Sequence, residues 1–568
     1  MSISHFPELT TDKKKFILTC GFGDKDAAKS IPGAKWDTKL RRWTYPATPY
    51  SLRDLKIVFP HVIVDPAVLA DVQAVQQRNE AIEAIKEADD AEVNLPIKAV
   101  PFVHQRKAFQ MALTTPNIAL LFEQGCGKTL EAIAIAGSDF IEGRLQRMLI
   151  LAPKSVVPVW PKEFNRFADF PFLVAALRGS SLQKQKQLSA FPPTGDALQV
   201  IVINYESAWR IEAQLLAWLR KADGYGVVAD ESQRIKTPGA EQSKAVHRLG
   251  KDAVRRMILS GTPVNNSPLE FFSQYKFLDP SVFGTSFTAF RSRYARMGGF
   301  QGKVVVGYQN LPELVAKAHS IAYRVSKAEA LDLPPEMYVT RVVELGKQAR
   351  KMYDAMRKDA FLELESGGQI TAQNVLTKIG KLQRMTGGFV SLEEDGLPTG
   401  ITYKLHDDKL GVFEELLDEI MDAGKKTVVF VRYLDELHAI EKLLEARKLG
   451  YRSIYGDVSQ DDRGRFVDEF QDDPAVRVFV AQIRTAGLGL TLTAADTSIF
   501  YSTGYSLEDY AQACARIHRT GQTRSVTHYL LVCEDTIDED IAEALQKKKS
   551  MADLVVDNYK TLLGGKKK

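Results

Sequence analysis

Between the apolar run Ile118-Ala-Leu-Leu121 and the apolar-periodic stretch Leu130-Glu-Ala-Ile-Ala-Ile-Ala136 the chain carries Phe122-Glu-Gln-Gly-Cys-Gly-Lys-Thr129. A buried-type run, a turn with two glycines and a helical period predict strand, tight turn and helix in that order. Gly125 and Gly127 let the backbone turn so that its N–H groups and the helix N-terminus face an anion. Lys128 then reaches the β- and γ-phosphates of a nucleotide, and the Thr129 hydroxyl binds Mg²⁺. Phe122 stands where the strict phosphate-loop pattern has its first glycine. The match is therefore weighed by what surrounds it.

Four further apolar runs end in polar turns: Met148 to Pro153, Val200 to Tyr205, Gly226 to Glu231 and Met257 to Pro263. Helical stretches separate them, so they predict a parallel α/β sheet whose ligands sit at the carboxyl ends of its strands. Asp230 and Glu231 close one such strand about a hundred residues after Lys128. An acidic residue there can hold Mg²⁺ through its water shell, and its neighbour can orient and deprotonate an attacking water. Ser260-Gly-Thr262, small and polar at another strand end, suits sensing of the nucleotide state. His104-Gln105 lies about twenty residues before the glycine turn, and a glutamine amide, which donates and accepts, can read an adenine edge.

A second alternating pattern begins near Leu405, with strand-like Thr427 to Val431, Arg452 to Tyr455, Val476 to Val480 and Thr497 to Tyr501. It lacks a glycine-lysine turn of its own. Instead it offers Thr485-Ala-Gly-Leu-Gly-Leu-Thr-Leu492 and Gln512-Ala-Cys-Ala-Arg-Ile-His-Arg519. Arg516 and Arg519, three apart on an expected helix, can point one way. Two guanidiniums aimed at a γ-phosphate stabilise the charge of a phosphoryl-transfer transition state.

At 568 residues the chain exceeds one core, and its formal charge of +4 neither requires nor excludes a nucleic-acid partner. Its cysteines, Cys20, Cys126, Cys514 and Cys533, lack metal-ligand spacing and suit a reduced, cytoplasmic setting. No apolar run reaches the length of a membrane span, and the N-terminus lacks a signal-like core, so no membrane partner is expected. The first 60 residues hold eleven Lys/Arg against six Asp/Glu. Within them a hairpin over Lys35–Tyr45 sets Trp36, Trp43 and Tyr45 among Lys35, Lys39, Arg41 and Arg42, a mixture that serves base stacking and phosphate contact or, equally, a small core with a solvated face.

The hairpin stretch resembles the HARP-type module found beside some DNA-annealing translocases. From about residue 98 to 545 the chain resembles the Swi/Snf-type ATPases of helicase superfamily two. The likeness rests on His104-Gln105, Gly125 to Thr129, Leu151-Ala-Pro153 with Trp160, Asp230 to Lys236, Ser260 to Asn266, Arg324 and Lys327 before Leu333-Pro-Pro335, Gly456 with Arg463, Gly487-Leu-Gly489, and Gln512 to Gln522. Ser232 and Gln233 depart from the commoner Ala-His after the carboxylates.

The resemblance implies an α/β fold with two RecA-like lobes, ATP and Mg²⁺ as cofactors, and double-stranded or forked DNA as partner, with single strands taken by the N-terminal module. It implies Lys128, Asp230, Glu231, Arg516 and Arg519 as catalytic residues, with Thr129 and Asp230 on Mg²⁺. His104, Gln105, Gly125, Cys126, Gly127, Gly487 and Gln512 are expected to hold the nucleotide, and Lys35, Trp36, Arg41, Arg42, Trp43, Lys154 and Thr485 the nucleic acid. The expected organisation is a basic HARP-like module (1–64), a helical linker (65–97), the first lobe (98–285), a helical connector (286–400), the second lobe (401–555) and a basic tail (556–568). The function so implied is a duplex DNA translocase that remodels forks or strips bound proteins. A strand-separating DNA or RNA helicase and an ATP-gated DNA-binding scaffold are the alternatives.

Overall fold

The computed structural model describes residues 7–12, 15–31, 33–192, 195–299, 302, 304–365, 372–394, 397–485, 490–553 and 556. Gly487 and the tail beyond 556 fall outside them. Two compact units divide the chain, residues 1–330 with 551–568 and residues 331–550.

The first unit opens with a five-stranded sheet of β1 (Glu8–Thr11), β2 (Lys15–Thr19), β3 (Lys35–Asp37), β4 (Arg42–Pro46) and β5 (Ile63–Val64), in the order β3-β4-β2-β1-β5. Period-2 alternation buries Phe16 and Leu18 of β2. They pack with Leu9, Trp43, Tyr45, Leu52 and Leu55 into a small core. Residues 65–97, expected as a helical linker, carry a helix over Pro66–Glu87 that buries Val68, Val72, Ile82 and Ile85. That helix is fixed at both ends: Asp71 accepts from Thr11 Oγ1 (2.5 Å), and Lys86 Nζ donates to the His319 carbonyl (2.6 Å). The small sheet is therefore part of the first unit and not a body on a tether.

The main sheet of this unit is wholly parallel: β6 (Asn117–Phe122), β7 (Arg147–Ala152), β8 (Phe172–Ala176), β9 (Leu198–Asn204), β10 (Tyr225–Asp230), β11 (Arg255–Leu259) and, after a β12–β13 hairpin (Ala295–Gly298, Val304–Tyr308), β14 (Ala322–Val325). Its order is β14-β6-β11-β10-β7-β9-β8. The central strands β6, β7, β9 and β10 are buried at every residue, which is why they read as continuous apolar runs.

The second unit holds a six-stranded parallel sheet, β15-β22-β21-β18-β20-β19. Its strands are β15 (Glu336–Val343), β18 (Thr427–Val431), β19 (Gly450–Ile454), β20 (Val476–Gln482), β21 (Thr497–Phe500) and β22 (Val526–Cys533), with a β16–β17 hairpin (Phe389–Glu394, Leu397–Lys404) between β15 and β18. Separate apolar clusters cover its two faces. The fold class is the expected one, two parallel α/β sheets and a small N-terminal sheet. The segment 286–400, expected as a helical connector, differs: β14 joins the first main sheet and β15 edges the second. Both are short or exposed strands, without the apolar runs that mark the central ones.

Candidate active site

The strand order sets β6, β11 and β10 side by side, so the turns at their carboxyl ends converge. After β6, Gly125 (φ +92°) and Gly127 (φ +87°) take the left-handed conformations the turn needs, and a helix starts at Lys128 with Gly127 as its N-cap. A side chain at 127 would also collide with Gln105, whose Nε2 lies 2.3 Å from where its Cβ would stand. Lys128 Nζ donates to the carbonyls of Phe122 (2.9 Å) and Glu123 (3.4 Å). Phe122 is the buried last residue of β6, edge-on to His104, so the position that departs from the strict motif serves the core.

Asp230, 5% exposed at the end of β10, accepts from Trp160 Nε1 (3.1 Å), and its carbonyl accepts from Tyr205 Oη (2.6 Å). Burial raises its carboxyl above the ordinary carboxylate range and the Glu231 charge adds to this, while Lys128 and the Trp160 N–H oppose it. Glu231 sits at φ +51°, an outlier for a non-glycine residue. Such strain concentrates at functional sites. Gln233 then bridges two strand ends, its Nε2 donating to Glu231 Oε2 (2.8 Å) and its Oε1 accepting from Ser260 Oγ (2.8 Å). Ser260 in turn accepts from the Thr262 N–H (3.1 Å), and Gly261 packs on the Phe122–Gln124 backbone. The Gln233 departure thus wires the acidic pair to the β11 turn.

Arg324 at the end of β14 closes the other side, donating to the carbonyls of Leu121 (2.9 Å) and Gly261 (3.2 Å) and pairing with Glu123 (3.3 Å). The oxygen donors expected on the metal are one carboxylate, Asp230, and one hydroxyl, Thr129. No group of three or more His, Cys, Asp or Glu able to hold a metal occurs among the described residues. So sparse and hard a donor set fits Mg²⁺, which keeps waters and takes phosphate oxygens, and not an all-protein cage.

Two of the residues expected at the nucleotide also make contacts with the loop itself. Gln105 is 3% exposed, its Oε1 accepts the Phe102 N–H (2.8 Å) and its Nε2 abuts Gly127. His104 Nε2 donates to the Cys126 carbonyl (2.9 Å). Both residues thereby support the loop, His104 through the Cys126 carbonyl and Gln105 through its packing against Gly127. Cys126 is itself buried, and burial pushes its thiol up to about 11. The aromatic surface left exposed beside them is Phe102, half-exposed and stacked parallel on His104.

In the second unit the helix Leu507–Cys514 ends before the arginines, so Arg516 and Arg519 lie on a turn and not on the expected helix. Buried Ile517 and His518 fix that turn from inside, the Leu492 N–H donates to the Arg516 carbonyl (2.9 Å), and Arg519 donates to the Leu490 carbonyl (3.3 Å). Gln512 bonds Glu508 on its own helix, and Thr485 follows β20.

The polar ends of the small sheet are exposed at Lys35, Trp36, Arg41 and Arg42, but Trp43 is not available for stacking. It is 8% exposed, built into the small core and edge-on to Trp36. Pairing of β2 with β4, extended by Arg42 Nε on Thr19 Oγ1 (3.1 Å), sets Gly21-Phe22-Gly23 at the same end as the hairpin tip. Phe22, 91% exposed, was missed because an isolated Phe between glycines carries no periodic signal. Lys154 is exposed just beyond β7.

Residues 90–387 match the SNF2-related domain, and residues 408–521 match the helicase conserved C-terminal domain. The chromodomain-helicase-DNA-binding protein 1-like of Mus musculus is 28% identical over 446 residues, covering 77% of this chain and 47% of that protein. The DNA repair and recombination protein RAD54-like of Drosophila ananassae is 26% identical over 473 residues, covering 77% and 59%. The chain thus spans about half the length of the curated relatives it matches. A solved structure, the SWI2/SNF2 ATPase core of Sulfolobus solfataricus in complex with dsDNA, is 26% identical, covers 82% of this chain and 96% of its own, and superposes with a TM-score of 0.37. Since the first of the two family matches takes in more than half of the 568 residues, the chain belongs to the SNF2-related family of superfamily two ATPases.

Proposed function

We propose that the chain is a DNA-dependent ATPase that uses ATP hydrolysis to move along double-stranded DNA. The observation that carries this reading is the convergence of the Lys128 loop, the Asp230–Glu231 pair and the Gln233–Ser260 bridge on three adjacent strand ends. The loop amides and Lys128 bind the phosphates, and Thr129 and Asp230 hold Mg²⁺. The bound ion would neutralise charge on the phosphate oxygens. Glu231 orients the attacking water and takes its proton, while Arg516 and Arg519, carried by the second unit, stabilise charge on the transferring group. The link through Gln233 to Ser260 gives the β11 turn a direct report of the acidic pair.

Duplex DNA as the track is supported by the names of the relatives, which speak of DNA binding and of DNA repair and recombination. Contact through Lys154 and Thr485 belongs to the same reading. A preference for forks is favoured by one further observation, the exposed aromatics Phe22 and Trp36 beside Lys35, Arg41 and Arg42, since aromatics among cations suit unpaired bases. ATP hydrolysis measured with no DNA, single strands, blunt duplex and a model fork tests both. Stimulation by duplex, lost in Glu231→Gln, is expected, with fork above duplex and that excess lost in Phe22→Ala with Trp36→Ala. Stimulation by single strands or RNA alone would overturn the duplex track and favour a strand-separating helicase. DNA binding without stimulation would favour an ATP-gated scaffold.

A further inference from the structure

The arginine turn is tied to a distant part of its own unit. His518, between Arg516 and Arg519, is 7% exposed, and its Nε2 lies 2.9 Å from the Pro334 carbonyl. Because a carbonyl only accepts, Nε2 carries the proton and donates. The Nδ1 side of the ring faces Glu336 Oε1 at 3.5 Å. Glu336 is the first residue of β15, directly after Leu333-Pro-Pro335, the segment that opens the second unit.

The same carboxylate oxygen accepts from His528 Nε2 (2.9 Å), which leaves His528 Nδ1 to accept from Ser498 Oγ (2.6 Å). His528 and Ser498 are fully buried on the neighbouring strands β22 and β21, opposite one another in register. Glu336 is thus clamped to the sheet on one side and faces the arginine turn on the other. Two prolines precede it and restrict the backbone that brings the Pro334 carbonyl to His518.

We propose that His518 and Glu336 are positioning residues, through which the Leu333–Glu336 segment sets the conformation of the Arg516–Arg519 turn. This rests on the ATPase reading above and adds to it a path from the entry of the second unit to its two guanidiniums. Arg516 and Arg519 depend on it because the residues between them, Ile517 and His518, are the turn's buried anchors, and His518 is the one that reaches the segment. A small displacement of a group that stabilises a transition state lowers turnover far more than ground-state affinity.

The test compares DNA-stimulated ATP turnover in the full chain for His518→Ala, His518→Gln and His518→Asn, with Arg519→Ala as reference. Gln places an N–H donor about where His Nε2 stands, whereas Asn is too short to reach the Pro334 carbonyl. His518→Ala is expected to lower kcat about tenfold, with KM for ATP and Kd for duplex DNA within about twofold of wild type. His518→Gln is expected to recover most of the loss and His518→Asn none of it. Equal turnover in the Gln and Asn variants, or a His518→Ala kcat within about twofold of wild type, would overturn the inference; if His518→Ala does not fold, the Gln–Asn pair decides. A wild-type chain that does not hydrolyse ATP would overturn the ATPase reading and this inference with it. Hydrolysis lost in Arg519→Ala but indifferent to His518 would overturn this inference alone.

Discussion

The two parallel sheets are built alike and finished differently. In the first, three adjacent strands end in a glycine turn, an acidic pair and a Ser-Gly-Thr turn, and the working groups are held by neighbours close to them: Trp160 and Tyr205 on Asp230, Gln233 on Glu231, Gln105 behind Gly127. In the second, the two arginines proposed to act lie on an irregular turn, where Arg519 donates to the Leu490 carbonyl and His518 between them to the Pro334 carbonyl, 184 residues away in sequence. In the proposed function the first arrangement serves as a preformed receptor for phosphate, built of backbone amides and a helix start. The second, in the proposal made above, presents its arginines through the His518–Pro334 contact.

Substitutions that break each end show how far the contrast holds. Arg519→Ala and Glu231→Gln are each expected to reduce kcat about 10³-fold, with nucleotide binding retained in Glu231→Gln and read by equilibrium dialysis. A loss of binding in Glu231→Gln would place that carboxylate with the phosphate-holding groups. Trp160→Phe removes the one N–H on Asp230 Oδ2 and is expected to lower kcat/KM about tenfold, the usual order for a hydrogen bond to a charged group. An unchanged rate would mean that Tyr205 and the strand alone fix the acidic pair.

Two smaller effects separate the first unit's parts. Glu313 lies on the helix Leu311–His319, where it accepts from Tyr294 Oη (2.9 Å) and pairs with Lys317 (3.0 Å) and, from the small sheet's own helix, with Arg53 (3.7 Å). Burial opposes its ionisation, but Arg293 and Lys317 outweigh that and hold the carboxyl down at about 2. Glu313→Gln is expected to destabilise the first unit by about 3 kcal/mol through its buried partners, while the half-exposed Arg53 pair adds no more than about 1 kcal/mol to docking of the small sheet, seen as lower thermal stability with at most a small rise in limited proteolysis between residues 60 and 100. His247 gives a pH handle on the main sheet. Burial lowers its imidazole to about 4, despite the Ser273 carbonyl on Nε2, with Lys276 and Arg248 adding to the effect. Its unfolded counterpart takes up a proton near pH 6.5 and the folded one does not, so stability is lost as pH falls below about 6.5, by about 2 kcal/mol at pH 5. His247→Gln should lose less between pH 7 and 5 in thermal melting.

What could be read in the sequence follows the same contrast. The phosphate loop, the acidic pair and the central strands are local patterns, and continuous apolar runs with glycines or carboxylates at their ends report them directly. Trp43 could not be told from a stacking residue because its ring is taken up by the small core, and the contact of Gln105 with Gly127 is likewise one that no spacing rule displays. Arg516 and Arg519 were recognised as a pair, but their helix was not there, because Ile517 and His518 are drawn into the core. Phe22 was invisible since an exposed aromatic on a glycine-flanked turn looks like any loop residue. The helix Pro66–Glu87 was legible as a helix but read as a solvated linker, because its buried Val68, Val72, Ile82 and Ile85 are diluted by alanine and acid.

Steady-state ATP turnover against duplex length tests the central claim most directly. A chain that moves along duplex DNA spends longer on longer tracks, so its apparent DNA-saturated turnover should rise with length and then level off, and both arms should vanish in Glu231→Gln. Turnover stimulated by duplex but indifferent to its length beyond the binding footprint would contradict movement and leave a stationary, DNA-gated ATPase.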